Sequence, residues 1–335
     1  MPRVSLVLTV KNEAHSIPRL MESLAIQTRR PDQVVVVDGG STDDTVAALE
    51  RYAPILPLKI ISSPGANISA GRNTAIRNAE GDIIAVTDAG VRLDEHWLEE
   101  IVKPFDAMDA PDVVSGYFVP DPQSVFELAL AATTLPALGE IRPDKFLPSS
   151  RSLAFRKRVW DKIARYPEWL DYCEDLVFDL ELRAAGCLFT FAPQARVYFR
   201  PRPTLAAFFR QYYLYARGDG KANLWFKRHL IRYLTYLVAL PLTLAAFFSG
   251  WRLASLVIWV LGLSAMFFTP YSRLLSLTKG EPSLRFFRAS LWIPLIRVTG
   301  DVAKMIGYPV GVAWRLRTDE LPGPQITQSS DSPSR

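Results

Sequence analysis

From Tyr233 through Trp251 the chain carries no charged residue, and after Arg252 none recurs from Leu253 through Ser272. A segment can stay uncharged for that long only inside a protein core or in hydrocarbon, and each stretch approaches the ~20 residues that cross a bilayer as a helix. Pro241, Trp251, Trp259 and Tyr271 sit where spanning helices tolerate prolines and place interfacial aromatic rings. The flanks give an orientation. Lys227, Arg228 and Arg232 precede the first stretch, and Arg273, Lys279, Arg285 and Arg288 follow the second, with Arg252 alone between them. Basic flanks stay on the cytoplasmic side, so the expectation is a transmembrane hairpin over residues 233–272 in a cytoplasmic (inner) membrane, with both outer flanks in the cytoplasm.

A third apolar region, Ala289 to Trp314, differs because it contains Arg297, Asp301 and Lys304 at i, i+4 and i+7 on one helical face, with Pro294 and Pro309 near its ends. Spanning would bury three charges, so residues 273–317 read as an amphipathic membrane-surface region. Residues 205–232 read as interfacial linker helices. The tail, 318–335, is rich in Pro, Ser and Gln and reads as disordered.

Residues 1–204 follow another rhythm. Val4–Val10, Val34–Val37, Leu58–Ile61, Ile83–Thr87 and Val113–Val119 are short Val- and Ile-rich runs, the pattern of strands buried on both faces. Ile17, Leu20, Met21 and Leu24 form one helical stripe between the first two. Ser41–Asp44 resembles a capping box that opens a helix carrying Val46 and Leu49. The alternation implies an α/β fold with a doubly wound, mostly parallel sheet, whose ligands sit at the carboxyl ends of the strands.

Several chemistries are excluded. The first strand ends in Thr9-Val-Lys-Asn-Glu13 with no glycine, so no dinucleotide fingerprint follows it, and no P-loop occurs. That removes a soluble Rossmann oxidoreductase. The net charge of +5 is not gathered into a run dense enough for a nucleic-acid arm, so no nucleic-acid partner is expected. Cys173 and Cys187 make no disulfide framework, and His15, His96 and His229 lack zinc-ligand spacing. What remains is a set of acidic residues: Asp38 and Asp88, each ending a strand run, and the pair Glu174–Asp175 at the head of a helix 176–185 that Gly186 terminates. Each can also be read as a turn former or a helix-capping acid.

Four motifs in order then carry a resemblance. Thr9-Val-Lys-Asn12-Glu13, Val37-Asp38-Gly-Gly-Ser41-Thr42-Asp43, Gly71-Arg72-Asn73 and Thr87-Asp88-Ala-Gly90 resemble the T-x-x-N-E, V-D-x-G-S-T-D, A-R-N and D-x-D series of family 2 glycosyltransferases of the GT-A fold. Tyr172-Cys173-Glu174-Asp175-Leu176 resembles their acceptor-side E-D motif. The resemblance covers residues 1 to about 220 and implies a GT-A catalytic domain over 1–204. It implies that Thr9, Glu13, Asp38 and Arg72 hold the base and ribose of a nucleotide-diphosphate sugar, that Asp88 serves ribose and metal, and that Asp175, with Glu174 beside it, is the general base of an inverting transfer. Mg²⁺ or Mn²⁺ is the implied cofactor, and the membrane setting makes a lipid or lipid-linked acceptor the expected partner. Two positions depart from the pattern. Gly90 replaces the second acid of D-x-D. Gln211-Tyr-Tyr-Leu214-Tyr215 replaces the Q-x-x-R-W of processive members, leaving Arg217 as the nearby candidate phosphate or acceptor contact. The alternative that Gly90 keeps open is a non-catalytic membrane scaffold that binds nucleotide sugars.

Overall fold

The computed structural model describes residues 2–280 and 282–318; beyond Thr318 the expected disordered tail lies outside the described residues. The chain runs β1 (Val4–Val10), α1 (Ile17–Ala25), β2 (Gln33–Asp38), α2 (Thr45–Glu50), β3 (Leu58–Ser62), α3 (Ile68–Arg77), β4 (Ile83–Val86), β5 (Val91–Leu93) and α4 (Trp97–Val102). It continues through β6 (Val113–Pro120), α5 (Val125–Thr134), β7 (Leu153–Arg156), α6 (Lys157–Lys162), α7 (Glu174–Ala184) and β8 (Phe189–Phe199). Among the described residues, only helices follow: α8 (Leu205–Lys221), α9 (Phe226–Leu234), α10 (Leu240–Phe248), α11 (Arg252–Leu277), α12 (Ser283–Ser290) and α13 (Trp292–Arg317). Two compact units result, one of residues 2–121 and 138–200, the other of residues 122–137 and 201–318.

The first unit is a sheet of order β3-β2-β1-β4-β7-β6-β8-β5. Its first four strands are parallel, as the alternation implies, and β7 and β5 run antiparallel to their neighbours. The period-2 pleat sends Leu6, Leu8, Val34 and Val36 to one face, under α1, α2 and α4, and Val7, Val35 and Val37 to the other, under α3, α6 and α7. The Ile17, Leu20, Met21, Leu24 stripe is fully buried. The capping box does not form. Asp44 stands at the N-cap of α2 without a side-chain bond, because the Ser41 hydroxyl is drawn to Asp38 and the Thr45 amide to Asp43.

In the second unit, α5 supplies an almost wholly buried helix whose Leu128, Ala129 and Ala132 meet Leu274 of α11, Ala289 of α12 and Ile293 and Ile296 of α13. The sequence reading placed this segment in the catalytic domain. α8 and α13 touch backbone to backbone: a Cβ at Gly307 would fall 2.2 Å from the Tyr213 carbonyl oxygen, and one at Gly311 2.0 Å from that of Arg217. Small residues four apart open that groove. The charges of α13 therefore do not lie along a free polar face; Asp301 is buried against Arg232 of α9, 2.8 Å away.

Phe226–Phe248 and Arg252–Leu277 are two helices long and apolar enough to cross a membrane, and their apolar side chains are largely uncovered. Pro241 offers no amide to the ladder, and the wide π-turn Thr235–Ala239 just before it absorbs the lost bond.

Candidate active site

The carboxyl ends of β1, β2 and β4 form one rim, and the motif residues build it in two layers. In the outer layer, loops 9–16 and 38–45 lace together. The Thr42 amide donates to Asn12 Oδ1 at 2.8 Å, the Asn12 amide to Ser41 Oγ at 2.9 Å, and the Glu13 amide to Thr45 Oγ1 at 2.7 Å. Asn12 takes the left-handed backbone (φ 56) that this junction requires, which asparagine tolerates. Asp38 is buried and accepts from the Gly40 and Ser41 amides at 3.1–3.2 Å, so its carboxylate shapes its own turn. Glu13 accepts the Ser16 hydroxyl at the start of α1.

The inner layer is organised by Gly71-Arg72-Asn73 in the middle of α3. Gly71 lets α3 close on β1: a Cβ there would lie 2.6 Å from Thr9 Cγ2. The Asn73 amide group donates to the Tyr166 carbonyl (2.8 Å) and Glu168 Oε1 (2.9 Å), and its oxygen accepts from Trp160 Nε1 (2.9 Å) and the Tyr166 amide (3.1 Å). Every hydrogen-bonding direction of that side chain is used. With Asn67, whose Nδ2 donates to the Glu168 carbonyl at 2.6 Å, it straps down the loop that leads into α7.

That loop delivers the acid pair. Cys173, buried and left-handed (φ 67), turns the chain into α7, which opens with Glu174 and Asp175. Arg72 is only 2% exposed and lies between motifs far apart in sequence: Nη1 donates to Glu174 Oε1 at 2.7 Å and Nη2 to Asp88 Oδ1 at 2.8 Å. The two carboxylates raise the Arg72 pKa further against the opposing effect of burial. Burial pushes the Glu174 carboxyl up to about 7, Arg72 opposing and Asp175 reinforcing the rise. Asp175 is half-buried, and its Oδ1 accepts the Leu176 amide at 2.8 Å.

Arg151 is the site residue that sequence reasoning missed. β7 runs antiparallel to β4, with Leu153 opposite Val86, so the residue two before β7 meets the residue two after β4. Arg151 Nε lies 3.7 Å from Asp88 Oδ2, its guanidinium stands over the Phe199 ring at 4.3 Å, and its carbonyl accepts the Thr87 hydroxyl at 3.0 Å. The signal was an arginine among Ser149, Ser150 and Ser152 at the mouth of a buried strand, which is no motif. Arg92 lies over the Tyr198 ring at 3.8 Å. Arg217 lies on α8, in the second unit.

A model of glycosyl transferase family 2 matches residues 5–151, and one of glycosyl transferase family group 2 matches residues 83–276, more than half the chain. The chain belongs to glycosyltransferase family 2. It is 26% identical over 187 residues to an uncharacterized glycosyltransferase of Nostoc sp., a match over 51% of this chain and 58% of that relative's length. It is 25% identical over 232 residues to glycosyltransferase AglE of Haloferax volcanii, over 67% of this chain and 75% of that one. Among solved structures, the mannosyltransferase PcManGT of Pyrobaculum calidifontis, in complex with GDP-Man and Mn²⁺, superposes with a TM-score of 0.58 at 22% identity, over 88% of this chain and 87% of that one. The fold of this family 2 glycosyltransferase is thus GT-A.

Proposed function

We propose that this glycosyltransferase moves a sugar, with inversion, from a nucleotide-diphosphate donor to a lipid or lipid-linked acceptor at the cytoplasmic face of a membrane. The observation that carries the reading is Arg72, whose buried guanidinium ties the strand-end Asp88 to the Glu174–Asp175 pair and so sets a donor-side and an acceptor-side carboxylate in one crevice.

The chemistry follows from that pairing. The acceptor hydroxyl gives its proton to the Asp175 carboxylate as its oxygen attacks the anomeric carbon. The bond from that carbon to the diphosphate breaks on the opposite face, and the nucleoside diphosphate leaves with the bonding pair. A single displacement inverts the configuration. Thr9, Glu13 and Asp38 belong to the base and ribose end, with Asp38 acting through the turn it folds. Arg72 holds the two carboxylates in register, and Arg151, part-exposed beside Asp88, meets the negative charge of the leaving diphosphate.

A divalent cation fits the donor set in a limited way. Among the described residues no group of three acidic, histidine or cysteine side chains could hold one alone. Asp88 Oδ1 is held by Arg72, whereas Oδ2 faces Arg151 only at 3.7 Å and remains a hard oxygen ligand. Mg²⁺ or Mn²⁺ can be bound by one carboxylate with substrate phosphates and waters. Such an ion would neutralise the departing diphosphate, with Asp88 as its protein ligand.

The membrane half of the reading rests on the two uncovered apolar helices. Replacing the proposed base tests the catalytic half. Asp175→Asn is expected to leave nucleotide-sugar binding, read by thermal stabilisation in detergent, near that of the unaltered enzyme while turnover falls about a hundredfold or more. A variant keeping more than about a third of the turnover removes Asp175 from the role.

A further inference from the structure

A second charged cluster joins α8, α9 and α13, and none of its residues takes part in the site above. Asp301 is satisfied on both oxygens: Arg232 Nε donates to Oδ1 at 2.8 Å and the Tyr236 hydroxyl to Oδ2 at 3.0 Å. His229 lies between Asp219, 3.2 Å from Nε2, and Arg232, 3.2 Å from Nδ1, with its ring stacked on Tyr308 at 3.8 Å. An arginine can only donate, so Nδ1 accepts, Nε2 carries the proton, and the ring is neutral.

Two cations of the cluster are left over. Arg297 Nε is 4.0 Å from Asp301 Oδ2, beyond hydrogen-bonding distance, and this nitrogen is buried with no hydrogen-bond partner. The Lys304 ammonium lies over the Tyr212 ring at 4.8 Å and, among the described residues, makes no direct hydrogen bond or ion pair, though Asp301 and Asp219 lie near enough to act on its charge. Arg232, Arg297 and Lys304 outnumber Asp301 and Asp219 by one charge. The buried Arg297 Nε without an acceptor is costly, and a monoanion seated between the two cations removes that cost and balances the net positive charge.

The register of the cluster indicates which anion. Arg232 is the last charged residue before the uncharged stretch from Tyr233 through Trp251, and Tyr236 is one turn further on. In a helix that enters a bilayer, this is the depth of the headgroups, where basic pockets between helices take lipid phosphates. We propose that Arg297 and Lys304 form a binding site for the phosphodiester headgroup of an anionic phospholipid, seated at the foot of the first apolar helix and made of residues that the candidate active site does not use. The proposal rests on the membrane reading of α9–α11 and not on the catalytic one.

The test is native mass spectrometry of the full chain released from bilayer nanodiscs containing phosphatidylglycerol and phosphatidylcholine in equal amounts. The unaltered protein is expected to retain phosphatidylglycerol at least tenfold over phosphatidylcholine. An Arg297→Gln/Lys304→Gln double variant is expected to lose that preference, and a Lys279→Gln/Arg317→Gln control, which removes the same charge from exposed positions, is expected to keep it. Should the double variant not fold by circular dichroism, Lys304→Gln and Lys304→Arg are compared instead, with preference lost in the first and kept in the second. Equal retention by the site variants and the unaltered protein overturns the site. Displacement of the lipid by millimolar inorganic phosphate overturns the lipid assignment and leaves a free-phosphate site. Failure to enter the nanodisc at all would instead discredit the membrane reading itself, whereas transferase turnover bears on neither.

Discussion

Glu174 is the residue whose chemistry most depends on its surroundings. Its carboxyl is pushed up to about 7 by burial, yet it must be ionised to pair with Arg72. Two opposite pH trends follow. The folded state holds the Glu174 proton more tightly than the unfolded chain does, so this group's contribution to stability is full below the ordinary carboxylate range and is lost as pH rises through about 7. Activity should run the other way, rising as Glu174 ionises and Arg72 gains its second partner. Glu174→Gln should flatten both curves near pH 7, which melting curves and kcat/KM profiles between pH 5.5 and 8.5, a window of about three units around the shifted group, would read. An acid limb unchanged in the variant would assign it to another group. Gly90 offers the complementary experiment. Its side-chain direction is open and its backbone is not left-handed, so Gly90→Asp is tolerated and adds a carboxylate near Asp88. Titration calorimetry of Mn²⁺ with nucleoside diphosphate should show the affinity rising about tenfold or more, the scale of one added ligand interaction, ~1.4 kcal/mol; no gain would detach Asp88 from the metal. At this scale the sequence revealed the acids and hid their partners. Asp38, Asp88 and Glu174–Asp175 stand out because they end strand runs or open a helix. Arg72 meets Glu174 across 102 residues and Arg151 meets Asp88 across an antiparallel register, and neither distance has a local signature.

At the scale of elements, legibility followed periodicity. The runs beginning at Val4, Leu58, Ile83 and Val113 begin the strands β1, β3, β4 and β6, and the apolar stripe of α1 is buried as drawn, because a period of 2 or 3.6 is local information. The antiparallel insertion of β7 was not legible, since strand order depends on the connections. Nor was the fate of the α13 charges: spacing gives a face, and only packing decides whether it meets water or Arg232. The same helix yields a prediction. Gly307 and Gly311 bring α13 against the α8 carbonyls, with no flexible neighbour at the contact to give way. Gly311→Val should destabilise the second unit by roughly 1–3 kcal/mol, the range for overpacking, and lower its melting temperature in detergent. Gly262→Val, on the uncovered part of α11 where no atom lies within 4 Å of the missing Cβ, is the matched control and should cost far less. Equal losses at both positions would show that the glycine effect is helix propensity and not the α8–α13 contact.

For the whole molecule, the arrangement to explain is a GT-A sheet continued into helices with uncovered apolar faces. Leu237, Leu242, Phe248, Leu253, Ile258, Leu261 and Phe268 are all exposed, a surface that water would penalise at roughly 25 cal/mol for each Å². A bilayer removes that penalty, and the flanks give it a direction. Lys227, Arg228 and Arg232 lie before the hairpin and Arg273, Lys279, Arg285 and Arg288 after it, while the turn between α10 and α11, closed by Gly250 in the left-handed region, carries Arg252 alone. Both ends of the hairpin should therefore remain in the cytoplasm, and the turn should cross to the other side. Single cysteines in a background with Cys173 and Cys187 replaced make this measurable, since Ser249 lies in the turn and Ser276 near the far end of α11. In intact cells, a membrane-impermeant thiol reagent should label Ser249→Cys and spare Ser276→Cys; after permeabilisation both should label. Labelling of Ser276→Cys alone in intact cells would invert the topology and place the Glu174–Asp175 site away from cytoplasmic donors. Labelling of both before permeabilisation would mean that the two helices lie on one surface and do not span, leaving a catalytic unit attached to the bilayer without crossing it.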